Sequence, residues 1–260
     1  MKKIILLILL SITLTACNKS IGHTSNVYNK ESESKNELDI KTVTDEMIPA
    51  KEEKPQKPKG ITSIIPSGWC LFEIVKGEPA TAEGDLNKDG IIDIAAIIEE
   101  TSSDTEEAPQ RAILIAFGTE ENTYSLSIVA EHVVLTADEG GAWGDPFDSL
   151  TIDRGSVLYS DYGGSSWRWY NKYRFRFQDN DWYLIGATTG SHHTMTESAD
   201  EEDYNLLTGD YIIKITDENG KVVTTKGNRG KKDLIKLKEL LLLRSPILEI
   251  LCFVPHLEGI

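Results

Sequence analysis

Oxygen-bearing side chains recur at every second position in one short stretch of this chain. Asp85, Asn87 and Asp89 are followed by Gly90 and then by Asp93. Counted from Asp85, the donors stand at positions 1, 3, 5 and 9, with glycine at 6. Calcium takes six to eight oxygens at flexible angles, and a tight loop with acids at alternate positions can wrap one side of such an ion. Gly90 admits the sharp turn. The Ile91 carbonyl would follow as a ligand while its side chain stays free for the core, and Asp93 would close the site. The expected ligands are therefore Asp85, Asn87, Asp89, Ile91 and Asp93, with Ca2+ as a structural ion. Without it three carboxylates would lie together with their repulsion uncompensated.

Nine positions agree with an EF-hand loop, but position 12 is Ala96 where that motif needs glutamate. The residues after Gly90 also read as a strand and not a helix. The pattern resembles instead the calcium loop of FG-GAP and VCBS-type repeats, known from integrin α-chain propellers and many bacterial surface proteins. Its motif runs Asp-x-Asp/Asn-x-Asp-Gly-x-x-Asp, matched here by Asp85, Asn87, Asp89, Gly90 and Asp93. A propeller of that family carries several such loops and this chain has one, so the resemblance implies the loop and not a seven-bladed propeller. The strings around Trp143–Phe147 and Tyr162–Trp169 resemble a group of exported bacterial proteins, a likeness that brings no activity with it.

Other residue types could do chemistry. The half containing Trp143, Tyr162, Trp167, Trp169, Tyr170, Tyr173 and Trp182 is rich in aromatics. Most are expected to fill a β core, because they alternate with Arg168, Lys172, Arg174 and Arg176. Trp143 and Tyr170 break that alternation, and with Asp145 they are the candidates for a ligand surface. Ser165 or Ser166 with His192 or His193 and Asp145 could be written as a hydrolase triad. No nucleophile-elbow spacing supports it, so no catalytic residue is assigned. Adjacent histidines on a strand point to opposite faces, which argues against His192 and His193 sharing a metal.

These residues must be positioned by strands. Residues 91–98 and 111–117 are near-continuous apolar runs, as expected where both faces of a strand are covered. Tyr124, Leu126 and Ile128 alternate with serines and should share one buried face. In 167–177, Trp167, Trp169, Tyr173, Phe175 and Phe177 should face the core, and the turn at 178–181 should start a return strand over 182–187. Asn219-Gly220 predicts a second hairpin with positive φ at both residues. Residues 197–203 read as a solvated acidic loop. Leu234, Leu237, Leu240 and Leu241 suit one face of a helix over 231–244, in competition with a short strand at 233–237. Pro246 interrupts any helix there.

At the start of the chain, Lys2 and Lys3 precede an apolar run too short to span a bilayer. The segment reads as a signal peptide. Its Leu14-Thr15-Ala16-Cys17 ending resembles the lipobox of bacterial lipoproteins, which implies acylation of Cys17 and residence in the cell membrane or outer membrane. Asn18 leans toward the outer membrane. Residues 17–60 are polar, charged and proline-bearing, a tether that cannot bury enough apolar area to fold. With a net charge of −15 the chain is a poor nucleic-acid binder. Cys70 and Cys252 show no framework spacing, leaving a disulfide and two free thiols both open.

The expected chain is thus a signal peptide over 1–16, a lipidated tether over 17–60, a β domain over 61–243 and an apolar tail over 244–260. The fold class is all-β with mainly antiparallel sheets, propeller-fragment-like or sandwich, ending in a short helical or irregular tail. The leading function is a non-catalytic module binding an envelope protein or glycan, held to the bilayer through acylated Cys17. An envelope or polymer hydrolase and a structural envelope-assembly component are the alternatives.

Overall fold

A computed structural model describes residues 60–101 and 107–240. The targeting segment, Cys17, nearly all of the tether, Cys252 and the tail lie outside them. The described residues form an all-β sandwich, as the alternation implied. Its strands are β1 (Trp69–Leu71), β2 (Glu73–Val75), β3 (Glu78–Pro79), β4 (Thr81–Gly84), β5 (Asp93–Glu100), β6 (Arg111–Gly118) and β7 (Tyr124–Val134). Then follow β8 (Phe147–Asp153), β9 (Ser156–Gly164), β10 (Trp167–Gln178), β11 (Asp181–His193), β12 (Ala199–Asn205), β13 (Asp210–Thr216) and β14 (Val222–Asn228). In the first sheet β5, β6 and β7 are consecutive, and β1 and β4 both pair with the free edge of β5. The second sheet is a seven-stranded antiparallel meander running from β8 to β14.

The apolar runs of β5 and β6 are covered on both faces. Ala95, Ile97, Ile113 and Ile115 pack into the core shared with Val157, Tyr159, Tyr173, Phe175, Trp182 and Leu184 of the second sheet. Ile94, Ala96, Ile98, Ala112 and Leu114 point the other way, against Ile61, Ile64 and Ile65 from the segment that leads into β1 and Trp69 at its start. Each buried isoleucine or leucine among them gains about 1.5–3 kcal/mol by leaving water, so these two strands anchor the domain.

Tyr124, Leu126 and Ile128 do not share a face. The register slips between Ile115 and Ala116, so that Ile128 pairs with Ile115 but Leu126 with Ala116. The extra residue is a β-bulge, and it reverses the alternation. Tyr124 packs on the outer cluster, Ile128 in the shared core, and Leu126 is exposed. The displaced Ser127 accepts the buried indole N–H of Trp182 at 2.9 Å, tying the two sheets together.

The β10–β11 hairpin forms with Asp179 and Asn180 both at positive φ, a two-residue turn suited to strand twist. Tyr173 and Phe175 reach the core, whereas Trp167 at the start of the strand is exposed. The second hairpin differs from expectation. Thr216 pairs with Val222, so the loop has five residues. Gly220 alone has positive φ, and the Asp217 carboxylate accepts the amides of Asn219 and Lys221. Residues 197–203 are not simply a loop, because β12 begins at Ala199. Its acids find cross-strand partners in Ser191, Thr188 and Lys214.

No α-helix forms over 231–240. The 183–184 part of β11 extends past β12 and offers its backbone to this segment. Ile235 accepts the Leu184 amide at 2.9 Å, and Lys236 bridges Tyr183. A single 3-10 turn, Leu237–Glu239, then buries Leu237 and Leu240 in the core.

Candidate functional site

The loop between β4 and β5 is built from side chains that accept backbone amides. The Asp85 carboxylate takes the amides of Lys88 (2.6 Å) and Gly90 (3.2 Å). Asn87 accepts the Asp89 amide, and Asp89 accepts the Ile91 amide at 2.8 Å. Lys88 and Gly90 both have positive φ, which turns the chain sharply. Asp85, Asn87 and Asp89 thus stand around one tight turn, as their spacing implied.

Asp93 behaves differently. It is fully buried, and both oxygens accept amides: Leu86 at 2.7 Å and Asn87 at 3.3 Å on Oδ2, Gly118 at 2.9 Å on Oδ1. Burial lifts its carboxyl above the usual range, and the three amides oppose that rise. Asp93 is the keystone joining the loop to the end of β6. Among the described residues no three acidic, histidine or cysteine side chains are gathered to hold a metal. The remaining oxygens of the loop are those of Asp85, Asn87, Asp89 and the Ile91 carbonyl, and the side-chain oxygens among them already accept N–H groups within the turn.

Asp145 is committed to the scaffold. Its carboxylate receives both terminal nitrogens of Arg111 at 2.7 Å each, and Oδ1 also accepts the Phe147 amide. Arg111 is only 2 % exposed, and its Nε reaches Glu99 at 2.9 Å. Burial works against the Arg111 charge, but the two acids more than offset it, and Arg111 in turn holds Asp145 below the usual carboxylate range. This bidentate pair also removes Asp145 from any triad with His192 or His193. Those histidines lie on opposite faces as expected, His192 beside Tyr162 and His193 beside Trp167.

Trp143 is 54 % exposed, with Tyr162 edge-on at 4.8 Å and the Arg168 guanidinium 5.0 Å from its ring centre. Tyr170 lies flat across β11: a Cβ on Gly190 would sit 2.5 Å from its ring. Its hydroxyl donates to Glu201, which also holds Lys214 at 2.6 Å. Burial and the Glu201 bond raise the Tyr170 hydroxyl pKa. Trp143 and Tyr170 therefore mark one surface, the outer face of the second sheet, with Arg168, Lys172 and Arg174 between and beyond them on β10.

That face carries a groove of about 610 Å³ where β9, β10, β11 and β12 run side by side. Arg154, Lys172 and Arg174 line it together with Thr188, Asp203 and Asn205. Sequence reasoning missed the groove. The alternation of β10 placed its cations on one face, but the neighbours brought by β9 and β12 have no local signature. A smaller cavity of about 80 Å³ lies beside Tyr204, Arg229 and Ile235.

A second buried polar cluster was also missed. Asp161 is 1 % exposed, and its Oδ1 accepts the Asn171 side-chain Nδ2–H at 2.6 Å. Its Oδ2 and the Tyr159 hydroxyl lie near each other without a well-formed hydrogen bond. Burial pushes the Asp161 carboxyl up to about 7, and Asp148 adds to the rise. Comparison with protein-family models, curated proteins and solved structures returns no match for this chain.

Proposed function

We propose that this chain is an exported, lipid-anchored β module that binds a component of the cell envelope without transforming it. The observation that carries the binding reading is the groove of about 610 Å³ on the uncovered face of the seven-stranded sheet, with the exposed Trp143 on the same face. Concave surfaces with a few placed polar groups are the usual seats of ligands. The Arg111–Asp145 pair uses the one acid that a hydrolase reading needed. The test is retention of envelope polysaccharide and protein fractions on the immobilised full chain. Retention lost on replacing Arg174 by alanine supports the reading. Turnover of any fraction, or no retention, overturns it.

The calcium loop belongs to the same proposal. Asp85, Asn87, Asp89 and the Ile91 carbonyl would hold the ion, and Asp93 fixes the turn that presents them. All the donors are oxygens, the preference of a hard cation. The ion's role is to neutralise the loop and so stabilise the domain. Added calcium is expected to raise the melting temperature and Asp89→Ala to abolish that rise. Melting indifferent to both calcium and chelator removes the ion from the account. Anchoring rests on the lipobox-like ending at Cys17, and Cys17→Ser should abolish fatty-acid labelling in cells.

A further inference from the structure

The charge pattern within the groove points to the kind of ligand, an inference that rests on reading this face as a binding surface. Arg154 Nε and Arg174 Nη2 lie 3.0 and 3.1 Å from the same oxygen of Asp153. Two guanidiniums share one carboxylate, so a unit of positive charge is left over. Lys172 adds another, offset in part by Glu201, an acid held below its usual range chiefly by Lys214 and Tyr170 and to a smaller degree by Lys172. Lys172 is exposed, it makes no ion pair among the described residues, and its ammonium stands 5.9 Å from the Tyr170 ring centre. The acid in the lining, Asp203, is turned to the Thr188 hydroxyl at 2.7 Å. Thr188 pairs with both Lys172 and Asp203 across β11, which puts that acid two strands, about 10 Å, from the lysine.

The whole chain carries −15, which repels long polyanions. Beyond a Debye length of about 8–10 Å that charge is screened, so a small anion inside the groove feels mainly the cations beside it. The remaining lining is of two kinds. Leu158, Ile185 and Leu207 are apolar, and Gly186 leaves the floor without a side chain. Asn205 and Asp203 offer groups that pair with hydroxyls. A cationic end, a hydroxyl-pairing side and an apolar floor fit a sugar ring that bears an oxyanion.

We propose that the groove binds a single acidic sugar unit, its carboxylate or phosphate ester on Lys172 and Arg174, its hydroxyls toward Asp203 and Asn205, and its C–H face on Leu158 and Ile185. No covalent step is involved.

Amide NMR of the full chain titrated with D-glucuronate, glucose 1-phosphate and uncharged glucose tests this. The carboxylate and phosphate probes distinguish the two oxyanion sources. Shifts are expected at Thr188 and Asn205 with one or both anions and not with glucose. Lys172→Gln should weaken binding about tenfold or more, the effect of losing one charge-assisted hydrogen bond. Lys172 is exposed, so the variant should melt as the parent does. Equal shifts with glucose overturn the charge assignment while leaving the binding-module reading intact. Unchanged affinity in Lys172→Gln overturns it too, as does the absence of groove shifts with every probe. Retention of an envelope fraction in that last case would still uphold the module reading.

Discussion

Asp93 and Gly118, 25 residues apart, meet through one hydrogen bond of 2.9 Å from the Gly118 amide to Asp93 Oδ1. The contact clamps the β4–β5 loop onto the end of β6. Only glycine fits at position 118, because a Cβ there would lie 2.3 Å from the Ile92 carbonyl oxygen and 2.7 Å from Ile91 Cγ2. The loop is thus held by an interior carboxylate on one side and a backbone contact on the other, before any ion is considered.

Replacing Asp93 by alanine leaves the amides of Leu86, Asn87 and Gly118 without their acceptor. Each unsatisfied buried donor costs about 1–3 kcal/mol, so a loss of about 3 kcal/mol or more is expected in urea unfolding. Gly118→Ala should cost about 1–3 kcal/mol through overpacking against backbone that cannot retreat. Both losses should persist in excess chelator, since they arise from amides and packing. A variant whose urea midpoint equals the parent's would remove Asp93 as the keystone.

Asp161 makes stability depend on pH near neutrality. Its folded carboxyl lies at about 7, above the ordinary value of 3.8. Below 3.8 the folded and unfolded forms both hold the proton and no penalty exists. Between 3.8 and 7 the folded form alone keeps it, so stability falls as pH rises and levels off above 7. The full effect is on the order of 4 kcal/mol at most. Asp161→Asn should flatten this slope and stabilise the domain at pH 8. Parallel pH profiles for variant and parent would show that the carboxyl is ionised throughout.

The Arg111 network works in the opposite direction. Asp145→Ala leaves a guanidinium that is 2 % exposed with Glu99 as its remaining acidic partner. Breaking a buried pair from one side costs about 3–5 kcal/mol, and the lower end applies because Asp145 itself is 39 % exposed. Arg111→Met, which removes the charge needing a partner, should be milder. Because the Asp145 carboxyl is lowered, its contribution is present at neutral pH and is lost as pH falls through the folded value below 3.8. Thermal melts of both variants at pH 7 and pH 3 would show the pattern, and equal costs at the two pH values would refute it.

Tyr170 lies flat only because Gly190 has no side chain. Gly190→Ala is expected to lift the ring, break its bond to Glu201 and cost about 1–3 kcal/mol. Removing the ring as well should recover only part of that loss, because the new Cβ also meets the Asp200 carbonyl oxygen at 2.7 Å. Full recovery in the double variant would mean that the ring contact alone matters.

Local pattern was enough for the all-β class, the buried β5 and β6, the hairpin turning within 178–181, and the tight turn carrying Asp85, Asn87 and Asp89. These depend on residues close in the chain, whose periodicity and turn chemistry act before any tertiary contact forms. The bulge at Ser127, the fate of Leu237 and the strand at Ala199–Asn205 were decided elsewhere. Ser127 turns inward to receive an indole from the other sheet, 231–240 follows the backbone of β11 where it extends past β12, and acids become a strand because Lys214, Thr188 and Ser191 stand opposite them. Read along the chain, Asp93 is a candidate metal ligand and Asp145 a candidate for a ligand surface. Folding also gives each a distant partner, Gly118 and Arg111, which no local signature announces. The groove belongs to tertiary structure alone, because the strands that line it become neighbours only when the meander closes.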